Sequence, residues 1–216
     1  MAVNAKICGI NSAEAMRAAI GGGAAYVGLV FYPPSPRAVT AAQAAALCAD
    51  VPDGVVTVGL FVDIDDATLE SITAAVPLDL LQLHGGEAPE RVAEIKRRTG
   101  LPVMKAIKIA GAQDVTTAEA YFDCADRLLF DAKAPPDMEG ALPGGNALVF
   151  DWELIAGRAW PLPWMLSGGL DADNVAEAIR ITGATDVDVS SGVESAPGIK
   201  NVDRIAAFLR AVAAAQ

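Results

Sequence analysis

Basic residues are scarce: sixteen Lys and Arg stand against twenty-seven Asp and Glu, for a formal charge of −11. A surface of that sign repels nucleic acid and anionic membrane faces unless a concentrated basic patch overrides it, and no such run occurs. Cysteine is scarcer still. Cys8, Cys48 and Cys124 are widely spaced and odd in number, which fits neither a disulfide framework nor the close pairs of a zinc site. His84 is the one histidine, and no carboxylates cluster with it, so a catalytic metal is not expected. Long apolar runs are also missing. Lys6, Asn11, Glu14 and Arg17 interrupt the first thirty residues, excluding a signal peptide or spanning helix there, and no later run reaches bilayer length. With its thiols unpaired, the chain is expected to be a cytoplasmic protein that touches neither nucleic acid nor membrane.

What is present is apolar residue in quantity, 53% of 216 positions, enough to bury a substantial core. Short runs of Val, Ile, Leu and Phe recur near 3–8, 25–31, 55–62, 78–84, 102–108, 127–132, 163–167 and 185–190. They are nearly continuous rather than alternating, as in strands covered on both faces of a parallel sheet. Helix-period segments lie between most of them. Thr40-Ala-Ala-Gln43 has capping-box spacing, Pro89 occupies a first-turn position, and Gly100 marks a stop. Asp65 or Asp66 starts a helix carrying Leu69, Ile72 and Val76, and Asp173 is expected to open the next-to-last one. A short, weakly patterned helix is expected between Thr116 and Cys124, and Ile205, Phe208, Leu209 and Val212 form a stripe on the last. Eight alternations with right-handed crossovers predict an α/β protein, one (β/α)₈ TIM-barrel domain over residues 1–216. An open doubly wound sheet is the rival, but no G-x-G-x-x-G follows the first strand.

In such a barrel the chemistry sits at the carboxyl ends of the strands. The residues to collect there are Lys6, Cys8, Arg37, Asp63, His84, Lys105, Lys108, Asp131, Lys133, Ser167, Asp188, Ser190 and Ser191. LSGGL (166–170) and DVSSGVES (188–195) follow the seventh and eighth strands, where barrels often bind phosphate through backbone N–H groups and a helix N-terminus. Arg37, in the stiff FYPPSPRAV loop, offers bidentate contact to a carboxylate or phosphate, or is a solvated surface arginine. His84 either polarises a substrate or bonds a neighbouring strand. Asp131 either faces the barrel mouth across from Cys8 or pairs with Lys133 or Lys105. Cys8 is a buried small hydrophobe or a reactive thiol whose pKa Lys6, on the same strand face, would lower. A thiol and a carboxylate on opposite walls of a phosphate cavity form a metal-free base and acid, suited to proton transfer at a sugar carbon.

KICGI (6–10), GLVFYPPSPRAV (28–39), VGLFVD (58–63), LQLHGGE (81–87), KAIK (105–108), LLFDAK (128–133), FDW (150–152), LSGGL (166–170) and DVSSGVESAPGIK (188–200) in this order resemble the phosphoribosylanthranilate isomerases of tryptophan biosynthesis over essentially the whole chain. The resemblance implies a cofactor-free Amadori rearrangement of N-(5-phosphoribosyl)anthranilate to a 1-deoxyribulose phosphate, an aldose-ketose isomerisation. It implies Asp131 as general acid and Cys8 as general base. Substrate would be held by Arg37 at the anthranilate carboxylate, by His84 and by Asp188; Gly168, Gly169, Ser190, Ser191 and Gly192 would take the phosphate, with no metal ligands. The partner expected is a small phosphorylated substrate, the chain itself being a monomer or homodimer. One departure stands in LPGGNALVFDW, where Ala147 replaces an expected third glycine; a positive φ there would cost about 1 kcal/mol and stiffen a loop that closes over substrate. A barrel that only binds phosphorylated ligands would need Arg37 and the phosphate loops but no acid-base pair.

Overall fold

The computed structural model describes residues 2–135, 137–138 and 140–215. Eight parallel strands close into a barrel: β1 (Asn4–Cys8), β2 (Tyr26–Val30), β3 (Val56–Phe61), β4 (Leu80–Leu83), β5 (Val103–Ile109), β6 (Arg127–Ala132), β7 (Trp164–Leu166) and β8 (Asp186–Val189). Each strand falls within or beside an expected apolar run, and β8 pairs back onto β1, setting Lys6 opposite Asp188. The helices α1 (Ala13–Gly21), α2 (Ala41–Cys48), α3 (Asp66–Ala75), α4 (Pro89–Thr99), α5 (Ala112–Thr116), α6 (Val175–Thr182) and α7 (Val202–Ala214) form the outer ring. A two-stranded hairpin, β9 (Glu194–Ala196) and β10 (Ile199–Lys200), follows β8. None of the described helices is long and apolar enough to cross a membrane.

The local signals act as their chemistry requires. Thr40 and Gln43 exchange both capping-box bonds, and the Asp65 carboxylate accepts from the Thr68 N–H. Gly100 ends α4 at φ 70, a left-handed turn that places its N–H on the Lys96 carbonyl. Ile205, Phe208, Leu209 and Val212 are all buried, each worth roughly 1.5–3 kcal/mol where a side chain of that size leaves water completely. Two helix starts differ from expectation. Asp171, not Asp173, organises α6: its carboxylate accepts from the N–H groups of Asp173 and Asn174, so the helix begins at Val175. The weak helix begins at Ala112, before Thr116, because the Asp114 carboxylate takes the Ala110 and Gly111 N–H groups; it then tightens to a 3₁₀ turn over Thr117–Tyr121. Among the described residues between β6 and β7 the only helical turn is the 3₁₀ turn Trp152–Leu154, and residues 142–148 line the barrel mouth.

Strand alternation divides the side chains between two cores. The larger lies between sheet and helices, while Tyr26, Val58, Leu80, Met104, Ala106, Leu129 and Met165 fill the lower barrel interior. One layer above them the inward residues turn polar, and there the cavity begins.

Candidate active site

The cavity at the carboxyl ends of the strands measures about 730 Å³ with its open mouth and is lined by Cys8, Arg37, His84, Asp131, Ser167, Gly168, Gly169, Asp188, Ser190 and Ser191 among others. Chain positions from 8 to 191 meet there because each ends a strand or starts the loop beyond it. Of the residues expected to take phosphate, Gly192 is set apart from the cavity lining. A Cβ on it would come within 2.0 Å of the Leu170 carbonyl, so it is the close-packing point that lets the loops after β7 and β8 meet. The loop after β8 continues into a three-residue 3₁₀ turn, Ser191–Val193.

Cys8, 4% exposed, ends β1 with Lys6 inward on the same face. Lys6 Nζ donates to Asp188 Oδ1 at 2.8 Å, and Ser167 Oγ donates to the other oxygen at 3.0 Å. Burial alone would depress the Lys6 ammonium, but the charges of Asp188 and Cys8 outweigh it and hold it above the usual lysine range. The thiol is raised, not lowered as its neighbour Lys6 suggested. Burial pushes the Cys8 thiol up; Lys6 and Lys200 oppose this, but burial, aided by the charge of Asp188, prevails. A raised pKa means that the neutral thiol persists to higher pH than in a free cysteine. The thiolate absorbance that separates wild type from Cys8→Ala is therefore expected to be absent near neutrality and to emerge only above the ordinary thiol value of 9.0. A thiolate band at pH 7 would contradict this assignment.

Asp131 pairs with neither lysine considered for it. Lys133 Nζ reaches Asp114 at 2.6 Å and Lys105 Nζ reaches Glu87 at 2.9 Å, while Asp131 Oδ2 lies 3.0 Å from His84 Nε2. Its other oxygen accepts from the Ala132 N–H at 2.9 Å, so the carboxylate is fixed at both ends. His84 thereby does what was left open: it bonds across the barrel, its Nδ1 lying 2.8 Å from Gln82 Nε2, while it still lines the cavity. Asp63 serves the frame, accepting from the Gly86 N–H at 2.7 Å. Lys108 is half-buried beside Asp131 in the β5–β6 register, and burial together with the nearby Lys105 charge depresses its ammonium.

Arg37 is buried, not a solvated side chain, yet its fork is not free for a bidentate ligand. Nε and Nη2 donate to the two oxygens of Glu194 at 2.8 and 2.9 Å, and Nη2 also approaches the Gly145 carbonyl at 3.2 Å. Nη1 is left directed towards the loop over the mouth, where a Cβ on Gly145 would come within 2.6 Å of it. Glu194 also accepts from Lys200 Nζ at 2.8 Å, and Lys200 holds the Ser190 carbonyl at 2.9 Å. Glu194 and Lys200 thus tie the arginine to the loop after β8, a role not anticipated from sequence although both lie in DVSSGVESAPGIK. Removing Glu194 would strand two buried cations. Glu194→Ala is expected to lose about 3–5 kcal/mol in urea unfolding, the range for breaking a buried pair by deleting one partner. Burial alone would raise the Glu194 carboxyl, but Arg37 and Lys200 hold it below its ordinary 4.5. Its folded pKa is the lower one, so its stabilisation is complete above the unfolded value and fades as pH falls through the folded one.

Residues 142–148 roof the cavity. Gly144 is the contact point: a Cβ there would fall 2.7 Å from His84 Nε2 and 2.8 Å from Asp131 Oδ2, so only glycine lets the roof rest on that pair. Ala147 adopts φ 56, the left-handed conformation that its place in the loop suggested. Ala147→Gly is expected to relieve up to about 1 kcal/mol of backbone strain and to change kcat more than KM for substrate, since loops over a site often set the rate of release in enzymes. Unchanged kcat and melting temperature would show that the strain has no consequence.

The family description N-(5′-phosphoribosyl)anthranilate (PRA) isomerase matches residues 5–211. The chain is 60% identical over 214 residues to N-(5′-phosphoribosyl)anthranilate isomerase of Rhodospirillum centenum, covering 99% of this chain and all of that one. Phosphoribosyl anthranilate isomerase of Thermotoga maritima superposes with a TM-score of 0.86 at 34% identity, over 97% of this chain and 98% of that one. A structure of phosphoribosyl anthranilate isomerase in complex with reduced 1-(o-carboxyphenylamino)-1-deoxyribulose 5-phosphate superposes with a TM-score of 0.82 at 33% identity, over 97% and 98%.

Proposed function

The chain belongs to the N-(5′-phosphoribosyl)anthranilate isomerase family, and from that premise we propose that it works through Asp131 as general acid and Cys8 as general base. The single observation supporting this pairing is that a thiol and a carboxyl, both buried, line one roofed cavity between two glycine-rich loops.

The reaction is an isomerisation, so each proton removed must be returned. Asp131 protonates the furanose ring oxygen; the C1–O bond breaks and the anilino nitrogen lone pair makes a protonated Schiff base at C1. In the minor fraction of molecules whose Cys8 thiol has already released its proton to solvent beside the Lys6 ammonium, the thiolate removes the proton from C2, and the C–H electrons flow towards the iminium nitrogen to give an enaminol. Cys8 then delivers its proton to C1 while the C2 hydroxyl returns a proton to Asp131, leaving the C2 ketone. No oxidant is consumed and both groups end as they began.

Lys6 supplies positive charge where the thiolate forms, which explains a lysine buried in the barrel interior. Asp188 and Ser167 fix that lysine's position. Phosphate is assigned to Gly168, Gly169, Ser190 and Ser191, with Gly192 shaping the loop, and Arg37 to the anthranilate carboxylate through its remaining Nη1. Excluding water beneath the roof strengthens these interactions and protects the Schiff base from hydrolysis. The test is a time course of the purified protein with freshly generated phosphoribosylanthranilate, read as loss of the substrate's fluorescence. Loss well above spontaneous decay is expected; decay at the spontaneous rate would overturn the activity.

A further inference from the structure

Gln82 has no place in the chemistry above, yet it is fully buried in the barrel interior, on β4 directly above the apolar layer containing Leu80, Met104 and Leu129. An uncharged amide in such a layer is costly unless both of its ends are bonded. Only one is. Nε2 lies 2.8 Å from His84 Nδ1, and Oε1 is buried with no partner.

The bond that is made has a consequence for the acid. With the amide N–H donating to Nδ1, the ring keeps its proton on Nε2, which donates to Asp131 Oδ2 at 3.0 Å. Asp131 is then an acceptor only, and the pair holds a single proton. The two ends of an amide are alike in shape, so the reversed orientation fills the same space. Gln82 Oε1 then accepts from His84 Nδ1–H, and His84 Nε2 becomes the acceptor. The 3.0 Å contact to Oδ2 closes in that state only if a further proton lies between Asp131 and His84. The pair then holds two protons, the number needed before one is given to a ring oxygen.

We propose that Gln82 is a positioning residue which, by presenting its amide oxygen to His84 Nδ1, fixes the histidine tautomer and keeps the general-acid proton on the His84–Asp131 pair. The inference rests on Asp131 being the general acid. Charged groups near the pair include Lys108 on β5, itself beside Lys105, Glu87 and Asp63, and, around the same cavity, Arg37 and Asp188 with its partner Lys6; Gly144 of the roof adds none.

His84 is the only histidine, so nitrogen NMR of the imidazole reads its tautomer without an assignment problem. The protein labelled with ¹⁵N-histidine is compared with Gln82→Met and Gln82→Glu at the pH of the isomerase assay. Wild type is expected to show a protonated Nδ1. Gln82→Met, which offers no acceptor, is expected to move the proton to Nε2 and lower kcat about 10–100-fold, the scale for losing a group that orients a reacting side chain, with phosphate-ligand affinity unchanged. Gln82→Glu keeps an acceptor and is expected to retain the wild-type tautomer and the larger part of the activity. A wild-type spectrum with Nδ1 unprotonated overturns the proposal even if Gln82→Met fails to fold. So does a Gln82→Met protein with kcat within twofold of wild type. Absence of isomerase activity in wild type would instead remove the reading on which the proposal rests, and the tautomer readout keeps the two failures apart.

Discussion

Asp131→Asn is expected to lower kcat by at least the ~10²–10⁴-fold that general acids supply, while leaving the affinity for a phosphorylated product analogue within a few-fold of wild type. The replacement keeps the shape and the Ala132 N–H contact at Oδ1. What it removes, on the proposed mechanism, is the proton that opens the furanose, and without ring opening there is no Schiff base for Cys8 to act on. The His84 bond survives with its polarity rearranged, so the fold is expected to lose little stability. The check is a steady-state comparison alongside a ligand titration. If kcat stays within tenfold, another group protonates the ring oxygen and the acid must be sought elsewhere in the cavity.

Cys8→Ala removes the proposed base instead, and a loss of the same order is expected. Here the burial of the side chain matters to the design of the test. Cys8 is 4% exposed and lies against Gly28, where a Cβ would come within 3.0 Å of its sulfur. Alanine leaves a void about one sulfur atom in size, and a small destabilisation is expected from packing alone. Cys8→Ser separates the two effects, because it restores most of the volume without a thiolate. Both variants are expected to be inactive and to bind the product analogue. Activity in either would return Cys8 to the status of a buried hydrophobe.

How much of this was legible in the chain depends on the range of the interactions. The eight strands were, because a strand covered on both faces must be apolar nearly throughout. The convergence of Cys8, Asp131, Arg37 and the two glycine-rich loops followed from the barrel, since strand ends share one mouth. Partners did not follow. Arg37 pairs with Glu194 across 157 residues, and a register between a loop after β2 and a hairpin after β8 leaves no mark on local pattern. For the same reason the pairing alternative for Asp131 named Lys133 and Lys105, just past its own strand and on the preceding one, and not His84. Lys6 and Cys8 share a face, which was visible, but the depth of burial that decides the sign of the thiol shift was not. Gln82 gave a signal that went unread: a lone amide in the apolar stretch LLQLH.

The central claim is that one acid and one base, not the cavity alone, turn over the substrate. The most direct measurement is a single-turnover time course of phosphoribosylanthranilate fluorescence with wild type, Asp131→Asn and Cys8→Ala in excess over substrate, where product release does not limit the signal. The account predicts a fast decay for wild type and, for both variants, decay at the spontaneous rate although the analogue still binds. A fast decay in either variant would contradict it.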